Sequence, residues 1–384
     1  MMGKPCATYI ADVVTAQPGR FYMPDRSLQT TCAASVDSKN TLWLLPGWLP
    51  IGELAVLAGA PGNGKGQITA AIAARMSKGY DHPSWPGEKS PGWCKVIIWS
   101  SEDDFQRVIR PRLEASGARL EYIINIDGIK RFGPARQFSF ANDEDVSSLI
   151  EFAEQEKDVG LIIIDPASLA VDGDFSNNTK VGEAFIKLGT IAKRLDCAIL
   201  VVTHDVKNAK GKSPLSRVAG PRAVTGVPRS VMLVTKIMDG SSGCGGTHIL
   251  VRAKSSLDEP GQGYEFCFHG VEVSGQDHPI KTSRVVFGRY HPESAEEILA
   301  WAESAKAEDK LSSLDAAINF LKNTLRSGSQ PYPEIKKLAD AAGISKATLD
   351  RAKKHLCIST KKQEGAGQFS PFVWSLPHDE QDNP

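Results

Sequence analysis

The run Leu57-Ala58-Gly59-Ala60-Pro61-Gly62-Asn63-Gly64-Lys65 leaves this chain fewer choices than any other stretch of it. It follows an apolar, strand-forming segment and opens the helical pattern at 67–76, so the order predicted is strand, glycine-rich loop, helix. Glycines let successive backbone N–H groups turn inward without Cβ clashes. The start of the helix adds partial positive charge and Lys65 adds a fixed one. A loop built this way cradles phosphates, and the residues expected to hold them are Gly59, Ala60, Pro61, Gly62, Asn63, Gly64, Lys65, Gly66 and Gln67. One position departs from the pattern. The residue after the lysine is ordinarily Ser or Thr with its hydroxyl on Mg²⁺, but here it is Gly66, and Thr69 lies a turn too far along to replace it. Metal binding is therefore expected to be weakened or retuned, with water filling the missing position.

Such a loop needs a sheet behind it. From 43 to about 290, apolar β-rich runs alternate with helical patterns, which predicts an α/β core with a mainly parallel sheet between helices. The expected strands are 54–58, 96–100, 161–164 and 198–203, followed by 231–236, 247–254 and 264–268 around a glycine-rich turn at 260–263. Each of the first four ends in polar residues, and the carboxyl ends of strands are where open α/β sheets bind ligands. Asp165, after four apolar residues, is the expected Mg²⁺ carboxylate, acting through water. Glu102 is the candidate base that polarises an attacking water, with Asp103 and Asp104 as carboxylates serving a helix start. His204 is placed to sense a γ-phosphate and relay its presence to the loop that follows.

Composition limits the surroundings. With 384 residues, 41% of them hydrophobic and 23% charged, the chain can bury one large core and a small accessory one. The N-terminus has no cationic segment leading into an apolar one, and no stretch is long and apolar enough for a membrane span, so a cytoplasmic, membrane-free protein is expected. Seven scattered cysteines without a CxxC pair fit reduced thiols, and Cys267 with His269 lacks the second pair a zinc site requires. The divisions expected are an arm at 1–42, the α/β core at 43–290, an acidic helical linker at 291–312, a small domain at 313–377 and a disordered tail at 378–384.

The neutral total of 45 basic and 45 acidic residues conceals an uneven distribution. Between 313 and 377 ten Lys and Arg stand against five acids, a net of +5, and the remainder carries −5. There Ala339, Ala341, Gly343, Ile344 and Ser345, with Leu349 beyond, resemble a helix-turn-helix in which Ser345 caps a second helix at 346–355. That helix turns Lys346, Arg351, Lys353 and Lys354 outward, as a backbone-contacting helix would. The segments 357–361, 363–367 and 369–376 read as a hairpin wing, so the whole resembles a winged helix, with docking to protein as the alternative to DNA.

With the loop, Glu102, Asp165 and His204 in order on four strand ends, the core resembles the RecA/DnaB-like P-loop ATPases, most of all the RepA-type hexameric replicative helicases of plasmids and phages. The lead-in at 43–54 is similar too. The resemblance spans about 43–270 and implies ATP and Mg²⁺ as cofactors and a homo-oligomeric, hexameric ring. It implies that the loops at 172–180 and 206–222 face a central channel and touch single-stranded DNA, the second through Lys207, Lys210, Lys212, Arg217 and Arg222. It implies a cation donated by a neighbouring subunit, for which Arg229, Arg252 and Lys254 are similarly placed. A replication initiator or primase is a further implied partner. Three readings stay open: an ATP-driven DNA motor, a nucleotide-switched DNA-binding or recombination-mediator protein with slow or no hydrolysis, and a transcriptional regulator.

Overall fold

The apolar run at 54–59 is buried along its whole length. A run without polar alternation lies where both faces of a sheet are covered. Alternation still decides which core each residue joins. Leu54, Val56 and Ala58 face one apolar cluster, and Ala55 and Leu57 face the other.

A computed structural model describes residues 30–79, 92–130, 134–237, 247–259, 261–325, 328–341, 344–356, 358–362 and 372–376. A short hairpin of β1 (Trp43–Leu45) and β2 (Leu49–Pro50) leads to β3 (Leu54–Gly59) and α1 (Lys65–Lys78). Next come β4 (Lys95–Ser100), α2 (Arg110–Ala115), β5 (Ile123–Asn125), α3 (Asp143–Glu156), β6 (Val159–Asp165), α4 (Asn178–Arg194) and β7 (Ala198–Thr203). Then follow α5 (Ala223–Gly226), β8 (Ser230–Lys236), β9 (His248–Ser255), β10 (Gly263–Val273) and β11 (Ile280–His291). The chain continues through α6 (Ala295–Leu325), β12 (Gln330–Pro331), α7 (Tyr332–Ala341), α8 (Lys346–His355), β13 (Ser359–Lys362) and β14 (Phe372–Ser375).

The nine-stranded sheet runs β11-β10-β9-β8-β3-β7-β6-β4-β5. From β8 to β5 every pairing is parallel, and β9, β10 and β11 extend the sheet antiparallel. This agrees with a P-loop nucleotide-binding core. Register aligns the carboxyl ends: Ala58 pairs with Thr203, Gly59 with Val234 and Ser100 with Asp165. The four expected strands of the nucleotide edge are present within two residues at each end. Two strands had not been separated in sequence. Ile123–Asn125 is only three residues long, and Ile280–His291 alternates buried and exposed positions irregularly, so neither carries a strong period.

Helix α1, with α2 and the β1–β2 hairpin, supplies one apolar cluster through Ile68, Ile72, Met76, Leu113 and Trp48. Helices α3 and α4 supply the other through Leu149, Phe185 and Leu188. Both of these helices start at an Asn: Asn142 accepts from Glu144 N and Asp145 N, and Asn177 from Thr179 N and Lys180 N. The channel-loop segment expected at 172–180 therefore already turns into α4 at Asn178.

Helix α6 runs unbroken across the expected boundary at 312, so linker and small domain share one 31-residue rod. Its early residues Ala295, Ile298, Leu299 and Ala302 pack on the sheet core. Its later ones, Ala317, Leu321 and Leu325, join Ile335, Ala339, Leu349, Ala352, Ile358 and Trp374 in a third cluster. The antiparallel sheet β12-β14-β13 closes that cluster, and Ser345 Oγ accepts from Thr348 N at the start of α8. The expected helix stop at Gly343, Cys357 and the turn at 363–367 lie outside the described residues. So do 1–29 of the arm and the tail at 378–384. Between 30 and 40 the chain forms one exposed 3-10 turn, Ala33–Ser35.

Candidate active site

The phosphate loop closes as its glycines require. Gly62 and Gly64 have φ of +80° and +87°, and Gly64 precedes the first turn of α1. The ring of Phe268, from β10, lies against Gly64 where a Cβ would stand, so only glycine fits there. Asn63 Nδ2 donates to Val234 O at 3.3 Å, tying the loop to β8. Lys65 Nζ donates to Gly59 O at 2.8 Å and Ala60 O at 3.3 Å.

The three other strand-end residues gather around that lysine. His204 Nδ1 lies 3.5 Å from Lys65 Nζ, and His204 Nε2 lies 3.7 Å from Glu102 Oε1. An ammonium has only donors, so His204 Nδ1 is the ring atom placed to accept from Lys65 Nζ. Burial lowers the Lys65 pKa from its ordinary value, while the charges of Asp165, Asp205 and Glu102 act against that. Burial, with the Glu102 charge next, pushes the Asp165 carboxyl up to about 6. Burial also raises Asp205. The site thus gathers an excess of carboxylates around one lysine.

Two residues here carry roles that their local sequence does not signal. Arg112, in the first turn of α2, donates from Nη1 to Asp103 Oδ2 at 2.6 Å. The same nitrogen stands 2.6 Å from where a Cβ of residue 66 would be. The sequence pattern alone makes Asp103 a helix-start carboxylate. That role belongs to Asp104, which accepts from Arg107 N at 2.7 Å, and Asp103 is instead the partner of Arg112. Nothing in the local pattern marks Arg112, because its partner and neighbour lie on other elements.

The residues present do not fit the usual Mg²⁺ site. Gly66 brings no hydroxyl, and the Thr69 hydroxyl donates to Gly66 O at 3.0 Å within its own helix. A guanidinium stands beside Gly66. Among the described residues no group of three or more His, Cys, Asp or Glu side chains forms a cluster able to hold a metal.

The three cations considered for donation to a neighbouring subunit separate clearly. Arg252 is 1% exposed and is a correction: it donates to Gly47 O, Gly261 O, Glu259 O and Asp258 Oδ2 of its own chain, and so ties β9 to the β1–β2 turn. Lys254 is also engaged, donating to Thr225 O, Gly226 O and Pro228 O at the end of α5. Arg229 is half exposed and only 3.8 Å from Glu53. In the loop after β7, Lys207, Lys210, Lys212 and Arg222 are exposed. Arg217 is a second correction: it is buried and paired with Glu303 of α6 at 2.7 Å. Hydrogen bonds from Val206 N to Arg217 O and from Ala219 N to His204 O close that loop at its base, directly behind the histidine. On α8, Lys346, Arg351 and Lys354 are exposed, and Lys353 Nζ lies over the Trp374 ring at 4.5 Å.

Residues 30–210 match the family model described as an AAA domain. The match takes in Lys65, Glu102, Asp165 and His204, which identifies this segment as P-loop ATPase-like and points to nucleotide binding and hydrolysis. It covers just under half of the chain and stops short of Arg217, Arg229 and everything beyond. No curated protein matches the chain. Among the described residues no helix is long and apolar enough to cross a membrane.

Proposed function

We propose that the chain is an ATP-driven motor on single-stranded DNA, with a RecA-like core assembled as a homo-oligomeric ring. The reading rests on one observation, the contact series Lys65, His204, Glu102 at the carboxyl edge of the sheet. Lys65 holds the γ-phosphate of ATP. Glu102 orients a water and takes its proton as the water oxygen bonds to the γ-phosphorus and the bond to the bridging oxygen breaks. His204 stands between the two, so loss of the γ-phosphate alters its contacts. The loop it begins is closed at 206–217 and presents Lys207, Lys210 and Lys212, which is the route from chemistry to DNA. Arg229 is the cation left for a neighbouring subunit's phosphate. The small C-terminal domain acts as a winged helix that holds DNA through Lys346, Arg351 and Lys354. A replication initiator or primase would be the partner that brings the ring to its template.

A second reading, the nucleotide-switched DNA binder, is favoured by Gly66 with Arg112 beside it, because loss of the metal hydroxyl slows hydrolysis more than binding. Steady-state ATP hydrolysis with and without single-stranded DNA, on wild type and Lys65→Ala, separates them. DNA-stimulated turnover abolished in Lys65→Ala supports the motor. Tight ATP binding without turnover overturns it in favour of the switch.

A further inference from the structure

The hydroxyl position of the phosphate loop is the one place where the chain departs from its pattern, and a cation stands beside it. Gly66, Thr69, Ser100, Asp103, Arg112 and Asp165 line one cavity beside the start of α1, which follows the loop directly. In it Arg112 Nη1 stands 2.6 Å from where a Cβ of residue 66 would be. The guanidinium needs the glycine, since any side chain at 66 would push it away. Asp103 anchors it from one side at 2.6 Å, and most of its N–H groups have no hydrogen-bond partner among the described residues. A guanidinium is planar, always charged and suited to phosphate oxygens.

Resting on the nucleotide-site reading above, we propose that Arg112 makes the phosphate contact that Mg²⁺ makes in other loops of this type, so that the chain holds a nucleoside triphosphate without requiring the metal. Gly66 and Arg112 form a matched pair. The glycine removes the metal's hydroxyl ligand and, by the same change, admits the cation that replaces the metal's charge. Asp165, which would otherwise meet the metal through water, here lines the same cavity as the guanidinium and feels its charge.

The test is equilibrium binding of a fluorescent ATP analogue, read by anisotropy in Mg²⁺ and in EDTA. The proteins are the full-length chain and its Arg112→Ala, Arg112→Lys, Gly66→Ser and Lys65→Ala variants. Wild type is expected to bind within about threefold in the two media. Arg112→Ala is expected to lose about tenfold or more in EDTA, the scale of one charge-assisted hydrogen bond, and to recover in part with Mg²⁺. Gly66→Ser, which displaces the guanidinium and restores a hydroxyl, should become Mg²⁺-dependent. A purely structural arginine would not produce that exchange. If Arg112→Ala does not fold, Arg112→Lys keeps the charge without the fork and should fall between the two. Wild-type binding that collapses in EDTA while Arg112→Ala behaves as wild type overturns the proposal and leaves the nucleotide site intact. Lys65→Ala binding as tightly as wild type overturns the site itself, and the proposal with it.

Discussion

Asp165 shows how burial sets a residue's chemistry. Desolvation first, then the Glu102 charge, raises its carboxyl from 3.8 to about 6. Between those values the folded chain holds a proton that the unfolded chain has released, so stability from this group is fully present below about pH 4 and lost as pH rises through about 6. The range is at most about 3 kcal/mol. Asp165→Asn removes the charge, so in urea unfolding it should be more stable than wild type at pH 8, by about 1 to 3 kcal/mol. The gap should close by pH 4, and a gap that stays constant with pH would count against this account. Arg112 and Asp103 were illegible in sequence because their meaning is a distance to residue 66, which no spacing along the chain encodes.

Among the elements, α6 contributes to both the sheet core and the third apolar cluster. It packs on the sheet through Ala295 to Ala302, and its Glu303 receives Arg217 from the loop after β7 and Gly211 N from the same loop. Both partners of the ion pair are largely buried, with 8% and 17% of their side chains exposed, so removing one leaves a charge without its partner. Glu303→Ala is expected to destabilise by about 2 to 4 kcal/mol. In a double-mutant cycle Glu303→Ala with Arg217→Ala should cost less than the two singles together. Hydrogen exchange should quicken at Val206 N, whose bond to Arg217 O closes the loop. Additive losses without that local change would show the pair to be incidental. Sequence periodicity located a helix here but divided it at 312, because the part before 312 carries a net acidic charge and the part after it carries none, while the helix continues through both.

At the scale of the whole molecule, charge is the property that extends beyond any one element. The segment 313–377 carries a net +5 in sequence, and its described residues include a separate apolar cluster and the exposed Lys346, Arg351 and Lys354 of α8. If these meet phosphates, replacing all three with Ala should weaken single-stranded DNA binding at low salt. It should also make the slope of log affinity against log salt shallower by about 2, since each neutralised phosphate contributes about 0.7. An unchanged slope in a salt titration would move DNA contact to Lys207, Lys210 and Lys212, or assign the small domain to a protein partner. By itself the sequence determined the phosphate loop, the four strand ends and the capped helix from Ser345, because each depends on residues adjacent in the chain: a glycine that allows a positive φ, an apolar run, a cap three residues from its amide. Only the tertiary structure decided that Arg252 and Arg217 are buried ties, that Phe268 lies on Gly64, and that Arg112 stands where a side chain at 66 would be. The physical reason is that a charge or a ring looks the same in sequence whether it faces water or a carbonyl on another element, and only packing fixes which of the two it meets.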